Sequence, residues 1–219
     1  MTGIRVLRDL RVGFGIVRDQ GARPTCLAFA ASDAHAAARG SPWSPLSAEW
    51  AYYHAVKRDG GGPASGATLG GMLDALRLDG QPAEARWPYD GEVDPDPAAW
   101  APPSGPHELF RRDSRRRGAA VRDVVDLIEA DTPALLVMTL SDAFFAPGVE
   151  GVVGADEPPD PARVHALVAV GHGLLADGKI AILVRNSWGG GWGIDGHAWL
   201  AEAYLAPRLR SCVAMAEEV

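Results

Sequence analysis

Cysteine is scarce in this chain, with Cys26 and Cys212 the only two among 219 residues. That excludes the disulfide framework on which small secreted domains depend. Long apolar runs are missing too: no stretch approaches the ~20 residues that span a bilayer. The first residues, Met1-Thr2-Gly3-Ile4-Arg5-Val6-Leu7-Arg8, lack the charged start, apolar block and small-residue cleavage site of a signal peptide. These absences predict a cytoplasmic protein. Neither Gly-x-Ser-x-Gly nor His-Glu-x-x-His occurs, which removes the nucleophile-elbow and zinc-protease patterns. The six histidines have no zinc-like spacing with the cysteines, so neither metal nor cofactor is expected. A formal net charge of −7 argues against nucleic-acid or anionic-membrane partners.

What is present is globular. The 219 residues, 47% hydrophobic and 22% charged, suffice for one full-size domain or two lobes sharing a cleft. Residues 1–19 read as an extended entry segment. Residues 27–38 are nearly all Ala, Leu or Phe and predict a buried helix, with Thr25 at its N-cap and Gly40 past its end. Ser47 caps a second helix over 48–58. A third, over 68–78, follows the glycine-rich loop 59–66 and stops at Asp79-Gly80. Residues 91–118 are rich in proline and charge and read as a surface connection with little regular structure. They include the basic run Arg111-Arg112-Asp113-Ser114-Arg115-Arg116-Arg117, read as solvated loop. A short amphipathic helix is expected over 121–130, then strands over 134–140, 164–175, 179–185, 197–200 and 211–216. Helices first and strands later predict an α+β fold with segregated lobes.

Four residues could do chemistry together. Cys26 stands at a helix start, where free N–H groups and the helix dipole are expected to lower a thiol pKa. His165 opens an apolar strand, and Asn186 ends another. An imidazole beside the thiol can take its proton and later give it to a leaving amine. An Asn amide oxygen can hold that imidazole in one tautomer without adding charge. The Gln20 amide and the Cys26 backbone N–H can serve a developing oxyanion. Taken singly, each has a plain structural reading as packing, turn or surface polarity. Gly191-Trp192-Gly193-Ile194-Asp195-Gly196 matches G-x-G-x-x-G, but a short strand is expected after it instead of the helix that a dinucleotide site needs.

Five blocks in order carry a resemblance. They are Gln20-Gly21 followed by Cys26-Leu27-Ala28-Phe29-Ala30, Leu46-Ser47-Ala48-Glu49, Gly66 to Gly80 with Trp87-Pro88-Tyr89, His165-Ala166 with Val170-Gly171-His172-Gly173, and Asn186-Ser187-Trp188-Gly189 with Trp192-Gly193. His165 and Asn186 lie 139 and 160 residues beyond Cys26. The set resembles papain-like (C1) cysteine peptidases. The resemblance implies one catalytic domain with a two-lobe fold: a helical lobe over about 20–110, and a β-barrel-like lobe over about 111–219 joined by residues 1–19. It implies a catalytic set of Cys26, His165, Asn186 and Gln20, with Gly66 and Val164 bonding an extended peptide or protein substrate and Trp188 shielding the His165–Asn186 bond. Two alternatives stay open: a pseudo-protease that binds peptides, and transglutaminase-like acyl transfer. Arg23 replaces the family's first disulfide cysteine, Pro24-Thr25 its Gly-Ser, and Leu27 its Trp. The catalytic block starts within twenty residues of Met1 without the family's usual prodomain, so either control by a regulatory partner in its place or by compartment is expected, or the chain is a fragment of a longer one.

Overall fold

The computed structural model describes residues 3–92 and 99–219. In chain order its elements are β1 (Arg5–Asp9), α1 (Cys26–Ala38), α2 (Ala48–Arg58), α3 (Leu69–Asp74), β2 (Arg112–Arg117), α4 (Val121–Glu129), β3 (Ala134–Leu140), β4 (Val152–Val153), β5 (Asp160–Leu174), β6 (Ile180–Arg185), β7 (His197–Ala201), α5 (Glu202–Leu205) and β8 (Leu209–Glu218). Helices lead and strands follow, giving an α+β fold.

α1 is buried along most of its length, from Leu27 to Ala36. Its alanines let neighbouring elements approach closely, and its few polar side chains (Ser32, Asp33 and His35) are themselves buried, so it presents almost no face to water. Ser47 caps α2 by accepting from the Trp50 N–H at 3.1 Å, and Thr68 caps α3 by accepting from Gly71 at 3.0 Å. Thr25 sits at the N-cap of α1 but does not cap it; its hydroxyl pairs instead with the Tyr89 hydroxyl at 2.9 Å.

The strands form one sheet in the order β2-β8-β3-β5-β6-β7-β4, with β1 paired to β5 beside that path. Side chains alternate across β5. Ala166, Val168 and Val170 pack toward α1, α2 and α3, whereas Leu167 and Ala169 pack into a second core with α4. Burial on both faces is why β5 reads as a continuous apolar run.

Two readings of the sequence need correction. The basic run is not a solvated loop: residues 112–117 are β2, paired antiparallel with β8. The expected connection over 91–118 is therefore regular at its end, while its residues 93–98 lie outside the described residues. The entry segment is also more than an extended lead, since Arg5–Asp9 joins the sheet through β5. The two-residue β4 and four-residue α5 are too short to leave a period in the sequence.

Arg23 is 4% exposed and forms a two-pronged ion pair with Glu49 of α2, at 2.7 and 2.8 Å. Glu49 also accepts from the Trp100 indole at 2.6 Å, and the guanidinium lies over the Tyr52 and Tyr89 rings. Breaking a buried pair strands the remaining charge, at about 3–5 kcal/mol, whereas removing both partners is far milder. Arg23→Met is expected to lower unfolding free energy in a denaturant titration by that amount, and Arg23→Met with Glu49→Gln to recover most of it. An unchanged midpoint in the single variant contradicts a structural role for the pair.

Candidate active site

α1 and β5 meet at the site. Cys26, partly exposed, begins α1, and its thiol lies against the backbone N–H groups of Cys26, Leu27 and Ala166. Ala166 is the residue after His165, so the helix start abuts the strand that carries the imidazole. A cavity of about 360 Å³ opens here. Cys26, His165, Gly66 and Val164 all line it, together with Leu27, Leu69, Val137 and Ala166. Trp188 does not line the cavity. It lies beside His165, ring centroids 4.9 Å apart, and Phe145 stacks on it at 5.2 Å.

Strand pairing explains how Asn186 reaches His165. β6 joins β5 with Arg185 opposite Val168, so the next residue, Asn186, lies alongside the stretch just before Val168. His165 Nε2 and Asn186 Oδ1 are 2.7 Å apart. The same oxygen accepts the Ser187 N–H at 2.9 Å. An N–H must face an acceptor, which fixes the amide orientation, so His165 Nε2 must carry the proton. Nδ1 is then the ring's free acceptor.

The Gln20 loop is bonded to the turn after Asn186. The Gln20 N–H donates to the Ser187 carbonyl at 2.8 Å, and the Ser187 hydroxyl donates to Gln20 Oε1 at 2.7 Å. Gln20 Nε2 donates to the Arg23 carbonyl at 2.9 Å, which uses one of its two N–H hydrogens and leaves one.

The thiol's electrostatics run opposite to the expectation from the helix start. Burial pushes Cys26 up, outweighing the N–H groups around it. Burial likewise pushes His165 down to about 4, against the Asn186 hydrogen bond. Each group, taken alone, is held neutral near pH 7. Burial also pushes Cys212 up to about 12, in keeping with an inert core thiol.

Behind the site lies a charge network that the motifs do not reveal. Asp33, two turns beyond Cys26 on α1, accepts from Arg185 Nε at 2.8 Å and from Arg18 at 2.7 and 3.1 Å. Arg185 also donates to the Gly15 and Ile16 carbonyls, and its guanidinium lies near the Phe14 and Trp43 rings. A lone carboxylate in an alanine-rich, buried helix was the sequence signal for it.

The Gly191–Gly196 stretch is a turn running into β7. Gly193 has φ +60°, and a Cβ there would lie 2.2 Å from the His197 carbonyl oxygen. A strand follows directly where a dinucleotide site needs a helix, so the pattern is accidental.

Known proteins carry the same architecture. Xylellain, a cysteine protease from Xylella fastidiosa, superposes with a TM-score of 0.79 at 21% identity, covering 98% of this chain and 86% of that one. The Carica candamarcensis cysteine protease CMS1MS2, solved with E-64, gives 0.73 at 22% identity, covering 95% and 97%. At that identity they establish the fold. Ananain of Ananas comosus is 51% identical over 37 residues, 17% of this chain and 11% of ananain, so the match spans about a tenth of that relative. The sequence model described as "Papain family cysteine protease" matches residues 65–215, a range that holds His165 and Asn186 but begins after Cys26. With that match over more than half the chain, and the structural likeness extending through α1, this chain belongs to the papain family of cysteine proteases, a family of thiol hydrolases.

Proposed function

We propose that the protein is a cysteine-type peptidase, one catalytic unit of two lobes, that hydrolyses peptide bonds of peptide or protein substrates. The observation that carries this reading is the His165–Asn186 hydrogen bond, which leaves Nδ1 free beside a cavity shared with Cys26. Cys26 is the nucleophile. It passes its proton to His165 Nδ1 as Sγ attacks the substrate carbonyl, so no net charge enters the buried site. The oxyanion meets the Cys26 backbone N–H and the spare N–H of Gln20. His165 then protonates the leaving amine, and water hydrolyses the thioester with His165 as base. Asn186 holds the imidazole's tautomer, and Trp188 keeps water from that bond. Backbone groups of Gly66 and Val164 hold the substrate extended, and Leu69, Val137 and Ala166 offer an apolar wall to one of its side chains.

The pH dependence follows from the base. Protonating His165 as pH falls through about 4 removes the acceptor for the thiol proton. kcat/KM is expected to hold through the mildly acidic range and to fall along an acid limb near pH 4; a limb centred near pH 6.5 contradicts the buried, neutral base. Iodoacetamide at neutral pH, with the adduct mapped, tests the nucleophile. Rapid labelling of Cys26 that is lost in His165→Ala supports the pair. Equal slow labelling of Cys26 and Cys212, indifferent to that substitution, sinks it. Turnover of a mixed peptide library with and without added amine separates hydrolysis from acyl transfer, and labelling without turnover identifies a peptide-binding module.

A further inference from the structure

The stretch from Arg111 to Arg117 takes no part in the catalytic cleft. It holds five arginines in seven residues of a chain whose net charge is −7. Its strand, β2, ends the sheet. β8 pairs with one edge, and among the described residues no strand covers the other. Arg115 lies opposite Ala214, Arg116 opposite Val213 and Arg117 opposite Cys212. Because side chains alternate, Arg115 and Arg117 project from one face of the sheet and Arg116 from the other. Arg116 and Arg117 are exposed and have no carboxylate partner among the described residues. Arg115 pairs, among the described residues, only with Glu217, itself exposed.

We propose that β2 is a docking edge for an acidic, extended segment of a partner protein, which adds as a further strand and sets its carboxylates against Arg115, Arg116 and Arg117. The turn over 75–79 lies beside the start of β2; beyond it the open edge supplies backbone donors and acceptors in register with such a segment. Beyond Asp113 the strand carries arginine on both faces, Arg115 and Arg117 on one and Arg116 on the other, and this selects the occupant. An added strand also carries side chains on both faces, whereas a bilayer or a nucleic-acid groove meets one face. A second copy of β2 would set arginine against arginine, so self-pairing is disfavoured. The acidic remainder of the chain likewise repels acidic partners except along this edge, which directs the encounter to it.

The probe is a fluorescent octapeptide of two Glu-Glu-Thr-Thr repeats, whose carboxylates fall on both faces of a strand. It is titrated into the full chain at low salt, with amide exchange followed over 112–117. The expected result is saturable binding that slows exchange of those amides. The Arg116→Glu, Arg117→Glu double variant is expected to weaken binding about tenfold or more while leaving the unfolding midpoint unchanged, since both side chains are exposed. Absence of saturable binding overturns the proposal, as does binding unaffected by the double variant or without slowed exchange. Equal binding of a heparin oligosaccharide or anionic vesicles, with β2 amides unprotected, also overturns it in favour of a general polyanion surface.

Discussion

Cys26→Ser is expected to reduce kcat on peptide substrates by on the order of 10⁴-fold or more while leaving the circular dichroism and unfolding midpoint near those of the parent. The substitution keeps the side chain's size, but a serine hydroxyl holds its proton far more tightly than a thiol. His165, pushed down to about 4, is too weak a base to compensate. In the proposed mechanism so weak a base suffices because the proton passes between Sγ and Nδ1 within one site and sulfur is a strong nucleophile once relieved of it. On that mechanism, any residual rate in the variant is expected to come from the oxyanion donors and substrate binding alone. Steady-state kinetics on a fluorogenic peptide, with active-site titration to quantify and subtract any contaminating parent protein, provides the measurement. A variant retaining activity within tenfold of the parent would place the nucleophile elsewhere.

Asp33→Ala is expected to be the most damaging single change to the fold. One carboxylate serves two arginines, Arg185 at 1% side-chain exposure and Arg18 at 13%. Among the described residues, removing it leaves Arg185 with the carbonyls of Gly15 and Ile16 as hydrogen-bond partners and Arg18 with Glu84 and the Leu46 carbonyl. Stranding a single buried charge costs about 3–5 kcal/mol, a large fraction of the ~5–15 kcal/mol that holds a domain together. Asp33→Ala is therefore expected to be unfolded or to melt far below the parent. Asp33→Asn keeps an acceptor and the shape, and is expected to lose about 1.5–3 kcal/mol, the range for a hydrogen bond to a charged group. Activity is expected to fall in Asp33→Asn beyond the loss of folded protein, because Arg185 immediately precedes Asn186 and ties its strand to the helix of Cys26. Denaturant unfolding of both variants, with kcat measured on the folded fraction of Asp33→Asn, tests this. Stability of Asp33→Ala within about 1 kcal/mol of the parent would make the network incidental.

Much of this was legible in the sequence, and for identifiable reasons. α1 and α2 are long, and their compositions leave little choice, so their spans follow closely. The second half of β5 and all of β3 have two largely buried faces and read as apolar runs. Gln20, Cys26, His165 and Asn186 stand in blocks whose neighbours are themselves informative. β2 was hidden because arginine-rich strands are rare and its place is set by β8, about a hundred residues away. α3 ends early, at Asp74, and the chain continues as a π-helical turn over Ala75–Asp79, a change of hydrogen bonding that apolar spacing does not record. The thiol's direction was misjudged because a helix start can be seen in sequence, whereas the burial that outweighs it depends on β5 folding against it. The Asp33–Arg185 contact spans 152 residues, and only the isolated charge at each end hinted at it.

The Arg23–Glu49 pair bears on how this protein reaches its native state. Where relatives are expected to lock the loop before the nucleophile with a disulfide, this chain uses charge, and its two cysteines are free thiols. No sulfur–sulfur bond has to be made or reshuffled for the fold to form, so neither an oxidant nor a disulfide isomerase sets its pace. Strong reductant, which protects Cys26 from oxidation, leaves the tether of its loop untouched. The reactivity of the thiol and the integrity of the scaffold are thereby separated: one responds to redox conditions, the other does not.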